Sequence, residues 1–290
     1  MFFRNSLSAL VGLFAAAAAV AASGAAGHAC VWKVTAPNGG ALYLGGSIHA
    51  LRSTDYPLPP AYNRAFEASD RLAFEVDEKA MQGASKDFEK VGCYSKHDSL
   101  KSHVDPRTYD YLRRFFGLLR VPEEKFARFH PWALAMILQS PQLQGLSSDL
   151  GIEGFFERRA RANSKPISGL ESAGEHMEVF SGLSERQSEA ILLLTFIPQQ
   201  EGNATSASLM EAWRRGDAEK LQHLMKASLA DFPAFADRIL DARNRNWLPK
   251  IERDLRSGHT YFVIVGAAHL GGPNGLLALL RSHGYQIEQL

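Results

Sequence analysis

The chain has 290 residues, enough for two average domains or for one α/β unit carrying an inserted subdomain. Apolar residues make up 46%, charged residues 22% and aromatic residues 10%, which excludes disordered, collagen-like and small disulfide-scaffold classes and leaves ample material for a core. The 32 Lys and Arg are matched by 31 Asp and Glu, so there is no basic excess to neutralise a phosphate backbone, and a nucleic-acid partner is not expected.

Residues 1–29 read as an export leader. Arg4 precedes the apolar run Ala9 to Ala22, broken only by Gly12, and the small residues Ser23 to Gly27 follow. That run falls short of the roughly 20 residues that span a bilayer. Cleavage after Gly24, Ala26 or Ala29 would leave a periplasmic chain, with no membrane association, that begins near residue 30 and forms a single domain over 30–290. The only two cysteines, Cys30 and Cys93, survive that cut. In an oxidising compartment they can pair, closing a loop of about 64 residues worth roughly 4 kcal/mol; the alternative is two thiols.

Next in the chain, a short apolar strand Ala41–Leu44 runs into Gly45-Gly46-Ser47-Ile48-His49. A loop with Pro57, Pro59 and Pro60 leads to a helix over Ala61–Ser69, and Arg71–Asp77 is a strand by its apolar, β-compatible centre. Between Pro106 and Arg256 helical spacing dominates, over 108–119, 131–139, 154–163, 173–182, 185–196, 206–215, 218–230 and 235–255. Asp217 is placed to cap the helix that follows it, and Lys165–Leu170 is one more short strand, ending at Glu171. The order of the N-terminal unit then recurs: strand Thr260–Val265, turn Gly266-Ala267-Ala268-His269, helix Gly275–His283, strand Tyr285–Leu290. The expected fold is α/β: a largely parallel or mixed central sheet built from two βαβ-like G-x-x-H half-sites at the chain ends, with a large all-helical insertion over about 106–256. Right-handed crossovers put both turns at the C-terminal edge of the sheet, where such sheets place their sites.

In each turn a glycine lets the backbone leave the strand or approach a ligand closely, and three residues later an imidazole stands above the sheet edge. A lone loop histidine is usually structural; two at the same spacing after two apolar strands point to a site. Glu75 interrupts an apolar strand, where an ionised carboxylate is costly unless it meets a cation or several donors. Two imidazoles and a carboxylate, His49, His269 and Glu75, are a ligand set for a divalent metal such as Mn, Co or Zn, with open positions for water and substrate. Glu75 can alternatively be a general base or the partner of an Arg. Arg243, in the helical stretch Arg243-Asn244-Arg245-Asn246-Trp247, either faces solvent or points at the sheet edge to hold a substrate carboxylate or stabilise an oxyanion. His-Glu-x-x-His, phosphate-loop and Gly-x-Gly-x-x-Gly patterns are absent, and Ser47 lacks the glycine two residues on that a nucleophile elbow needs. His130-Pro131-Trp132 reads as a helix start. His97, His103, His176, His223, His259 and His283 have no paired arrangement and are read as surface residues.

These blocks resemble the TraB/GumN family: Leu42-Tyr43-Leu44-Gly45-Gly46-Ser47-Ile48-His49, Phe74-Glu75-Val76-Asp77 and Val265-Gly266-Ala267-Ala268-His269-Leu270. Pro131-Trp132, Gly169-Leu170-Glu171, Trp213-Arg214-Arg215-Gly216-Asp217 and Arg243-Asn244 look like family positions in the expected order. The resemblance implies a fold like the erythromycin-esterase and ChaN group, and kinship with the Tiki proteins, metal-dependent proteases that need both Gly-x-x-His motifs and a glutamate. By it, His49, His269 and Glu75 match functional positions, and Arg243 matches less closely. Gly151-Ile152-Glu153 stands where many relatives have Gly-Val-Asp, and Gly174-Glu175-His176 where they have Glu-Glu-Gln. The expectation is an exported metal-dependent hydrolase acting on a peptide, amide or ester bond. The alternative is a non-catalytic protein that binds haem or a peptide in the same cleft.

Overall fold

The computed structural model describes residues 28–37, 39–76, 88, 90–139, 148–196 and 206–290. The leader, up to residue 27, and Asp77 lie outside the described residues. The chain divides into two compact units: 88–139 with 180–196, and 28–76 with 148–179 and 206–290. The helical stretch between Pro106 and Arg256 is therefore shared between a helical unit and the unit that holds the sheet.

The sheet has six strands in the order β4-β3-β5-β2-β1-β6. They are β1 (Val31–Thr35), β2 (Ala41–Ser47), β3 (Arg71–Val76), β4 (Ile167–Glu171), β5 (Tyr261–Gly266) and β6 (Gln286–Gln289). β5 pairs in parallel with β2 and β3, and β3 in parallel with β4, while β1 runs antiparallel to both β2 and β6. Every strand expected from the sequence thus points the same way. The reversed one is β1, whose Val31, Trp32 and Val34 are buried. Strand β5 reads YFVIVG and is buried at four consecutive positions, as a central strand covered on both faces must be. Register pairs Ser47 with Gly266 and Val76 with Glu171, which brings the ends of four strands to one edge.

Helix boundaries fall within about two residues of the spacing-derived ones, as element ends normally do. Asp217 caps its helix, its carboxylate accepting from the Lys220 N–H at 2.9 Å. The expected helix over 235–255 is interrupted: Pro233–Ala236 leads into a π-helical turn, Asp237–Asp241, before the helix Ala242–Leu255. No helix among the described residues is long and apolar enough to cross a membrane.

The first histidine turn is fixed from behind. The Tyr62 hydroxyl donates to the Gly46 carbonyl at 2.5 Å, and the Trp213 indole N–H donates to the same carbonyl at 2.9 Å. Cys30 and Cys93 are not joined by a disulfide. Cys30 is wholly buried where β1 begins, with its Sγ filling the space above Gly46, and burial pushes the thiol pKa well up. The start of the described chain is pinned instead by backbone bonds: Ala29 N–H to Leu290 O, 2.7 Å, and Gly46 N–H to Cys30 O, 2.8 Å.

In the helical unit, the Trp132 backbone N–H donates to Ser188 Oγ at 2.8 Å, tying the helices Pro131–Leu138 and Glu185–Leu194 together. His103, expected at the surface, is instead clamped between Asp98 and Glu185 and stacks on Tyr94. A ring with a carboxylate at each nitrogen satisfies both only as an imidazolium.

A β-carbon at residue 46 would lie 2.4 Å from Cys30 Sγ and 3.0 Å from Ala267 Cβ. Gly46→Ala should therefore lower stability by about 1–3 kcal/mol in urea melts, and Cys30→Ala in the same chain should recover part of that loss. Equal melts for Gly46→Ala and the parent would contradict this packing.

Candidate functional site

The site is built on the sheet edge where β2, β3, β4 and β5 end, from residues of the sheet unit alone. Glu75 is the penultimate residue of β3 and is buried. Its Oε1 accepts the Gly266 N–H at 2.7 Å, and its Oε2 accepts from Arg243 Nη2 at 2.5 Å. Burial alone would raise this carboxyl, but Arg243, His269, His49 and the Gly266 N–H together hold it well below the usual carboxylate range.

Arg243 follows the π-helical turn by two residues and spends all five of its N–H donors. Nε donates to Glu171 Oε2 (3.2 Å), Nη2 to Glu75 Oε2 and to Glu171 Oε1 (2.6 Å), and Nη1 to Ile239 O (3.3 Å) and to His269 Nε2 (3.2 Å). Its guanidinium also lies 4.5 Å from the Trp247 ring centre. Glu171, the last residue of β4, additionally accepts the Trp247 indole N–H at 3.0 Å and meets His176 Nδ1 at 2.7 Å. Of the two readings of Arg243, a solvated face or the sheet edge, its contacts are those of the sheet edge. None of its hydrogens is left over for an oxyanion, so it acts through its charge and by holding two carboxylates in place.

His269 is buried, and its protonation can be read from its neighbour. Asn244 Nδ2 donates to two carbonyls, His269 O (3.2 Å) and Asn274 O (2.9 Å), which fixes the amide orientation. Asn244 Oδ1 must then accept from His269 Nδ1 (2.7 Å), leaving the Nε2 lone pair directed at Arg243 and Glu75. Burial pushes the His269 pKa down to about 4, so the ring is neutral near pH 7. His49 is the opposite case: its side chain is 70% exposed, and its Nδ1 lies 2.7 Å from Glu153 Oε1. The Glu153 carboxylate is the main reason its pKa rises to about 9. Glu153 Oε1 also accepts the Ser47 hydroxyl at 2.5 Å, while its Oε2 is buried with no hydrogen-bond partner.

His49, His269 and Glu75 meet around Gly266. A β-carbon there would lie 3.2 Å from Glu75 Oε1, 3.5 Å from His269 Cδ2 and 3.8 Å from His49 Nε2. The glycines of the two turns therefore have different reasons: Gly46 makes room for the core, and Gly266 leaves open the space that the three side chains face.

A second grouping was not foreseen. Among the described residues, the set of metal-ligating side chains whose donor atoms all lie within 4.8 Å of one another is Glu75, Glu171 and His176. His176, expected at the surface, is partly buried against Glu171. Glu171 carried the same signal as Glu75, a carboxylate at the end of a strand, but Glu153 and His176 lie in the first turns of helices and reach the edge only through tertiary folding.

A family model described as the TraB/PrgY/gumN family matches residues 30–289. Comparison with curated proteins and with solved structures found no match.

The side chains of Arg243, Glu75 and Glu171 are 9%, 11% and 7% exposed, so removing the guanidinium strands two carboxylates in a poorly solvated edge. Arg243→Met should cost about 3–5 kcal/mol in denaturant titrations. Adding Glu75→Gln and Glu171→Gln should return part of it, and a neutral Arg243→Met would contradict the network.

Proposed function

The chain belongs to the TraB/PrgY/gumN family, and on that premise we propose that it is an exported metal-dependent hydrolase that cleaves a peptide, amide or ester bond in the pocket at Gly266. The observation that carries the reading is that Glu75 Oε1, the Cδ2 edge of the His269 ring and His49 Nε2 are the atoms nearest the space a β-carbon at residue 266 would fill. Export is inferred from the leader-like residues 1–29, and an erythromycin-esterase/ChaN-like arrangement from the two histidine turns sharing one sheet edge.

To take a divalent cation such as Mn, Co or Zn, His49 would give up the proton that Glu153 favours and His269 Nε2 would exchange its Arg243 hydrogen bond for the ion. Ligating histidines usually have the second ring nitrogen held by a carboxylate or an amide oxygen, which sets the tautomer and the ring orientation. Both histidines have this support: Glu153 holds Nδ1 of His49, and Asn244 holds Nδ1 of His269. Glu75 Oε1 takes one backbone N–H and keeps lone-pair capacity toward the pocket. His49, His269 and Glu75 would hold the ion, which when bound supplies Lewis acidity and a water acidified to near neutral pH.

The remaining residues act by placement. Arg243 keeps Glu75 ionised and aimed, and a carboxylate held this firmly in its charged form suits the role of ligand better than that of base. His49, at the exposed rim, is the member of the trio that a substrate meets first. The buried Glu171 carboxylate fixes Arg243 from the other side, so the chemistry rests on a charged layer that does not itself touch substrate.

The purified protein should bind one equivalent of Mn, Co or Zn and hydrolyse members of an ester and peptide panel. His49→Ala should lower both by about a hundredfold while its melting temperature stays close to the parent's, because the removed side chain is mostly exposed. His269→Ala should do the same with some loss of stability. Full turnover in both variants would overturn the proposal, and a haem absorption band in the purified protein would favour the non-catalytic binder.

A further inference from the structure

Glu75, Glu171 and His176 converge on a single point, and a cation already touches all three. It is Nη2 of Arg243, at 2.5 Å from Glu75 Oε2, 2.6 Å from Glu171 Oε1 and 3.2 Å from His176 Nδ1. Two carboxylates share that guanidinium, with the His176 ring against Glu171. A divalent ion would match the charge of the two carboxylates, and two carboxylates with one imidazole are suitable ligands for Zn, Co or Mn.

Beside Arg243 lies a cavity of about 190 Å³, lined also by Glu175, Glu178, Val179, Trp247 and Lys250. Glu175 and Glu178 are exposed carboxylates, and the guanidinium already packs on Trp247. An Arg243 side chain turned into this cavity would meet Glu175 and Glu178 in its lining.

We propose that the point held by Arg243 Nη2 is a second cation position, sharing Glu75 with the proposed site at Gly266, where a divalent transition-metal ion and the Arg243 guanidinium exclude each other. Ligands about 2.1 Å from a metal sit about 3.4 Å apart, so the 2.7 Å separation of Glu171 Oε1 and His176 Nδ1 must open by on the order of 1 Å when the ion enters. Metal entry releases the guanidinium from both Glu75 and His269, so occupancy of this position is read directly by the pocket at Gly266 through two shared side chains. The inference does not rest on the hydrolase reading, since it concerns only which cation the three ligands hold.

Zn²⁺ titrations by calorimetry, with Co²⁺ absorption as a second readout, test it in a His49→Ala background that disables the first position. Arg243→Ala in that background should bind one Zn²⁺ at least about tenfold more tightly than its parent, and adding His176→Ala should abolish the gain. Zn²⁺ should also raise the melting temperature of the Arg243→Ala chain, which covers the case where that chain is poorly folded alone. Unchanged affinity on removing Arg243, binding that survives His176→Ala, or an Arg243→Ala chain whose melting Zn²⁺ does not move would each overturn the proposal. Loss of the first position alone follows His49 and His269, so the two readings fail separately.

Discussion

The Arg243 guanidinium between two buried carboxylates is the contact on which the rest of the edge depends. Glu75 and Glu171 lie at the ends of neighbouring parallel strands, and without a cation between them the sheet would carry two buried carboxylates with no positive partner between them. The π-helical turn before Arg243 belongs to the same solution: it sets the phase of the helix so that Arg243, Asn244 and Trp247 all face the strand ends. One helical face therefore orients two carboxylates and one imidazole.

Order spreads outward from that contact. Asn244 sets the tautomer of His269, the Glu75 carboxylate seats on the Gly266 N–H, and Gly266 brings no side chain between Glu75, His269 and His49. On the opposite side, Tyr62 and Trp213 hold the Gly46 carbonyl, which places Ser47 and His49. Glu153 then joins Ser47 to His49. The two histidines end in contrasting states, one exposed and held by a carboxylate, the other buried and neutral, although their turns share one sequence pattern.

Much of this was legible from residues alone, for identifiable reasons. Short apolar runs ending in Gly-x-x-His marked two strand ends, and a glutamate inside an apolar strand demanded a partner, which Arg243 supplies. The helices of the middle region followed from spacing, with Pro and Asp at their starts. What escaped was of another kind. Strand β1 is five residues beside a leader-like segment, too short for its alternation to stand out. Glu153 and His176 pair with His49 and Glu171 through folding that local patterns do not encode. Cys30 is a packing residue because β1 turns it inward above Gly46, a fact that depends on the strand the sequence had not revealed. The site's residues were thus readable where a turn pattern repeated or a charge violated its local environment, and unreadable where the local environment was unremarkable for that residue type.

The central claim is that His49, His269 and Glu75 together hold a divalent ion at Gly266. Anomalous diffraction at the zinc edge, from crystals of the protein grown with Zn²⁺, tests it most directly. The account predicts a peak within coordinating distance of His49 Nε2, His269 Nε2 and a Glu75 oxygen. A structure with Zn²⁺ present and no peak among those three side chains would contradict it.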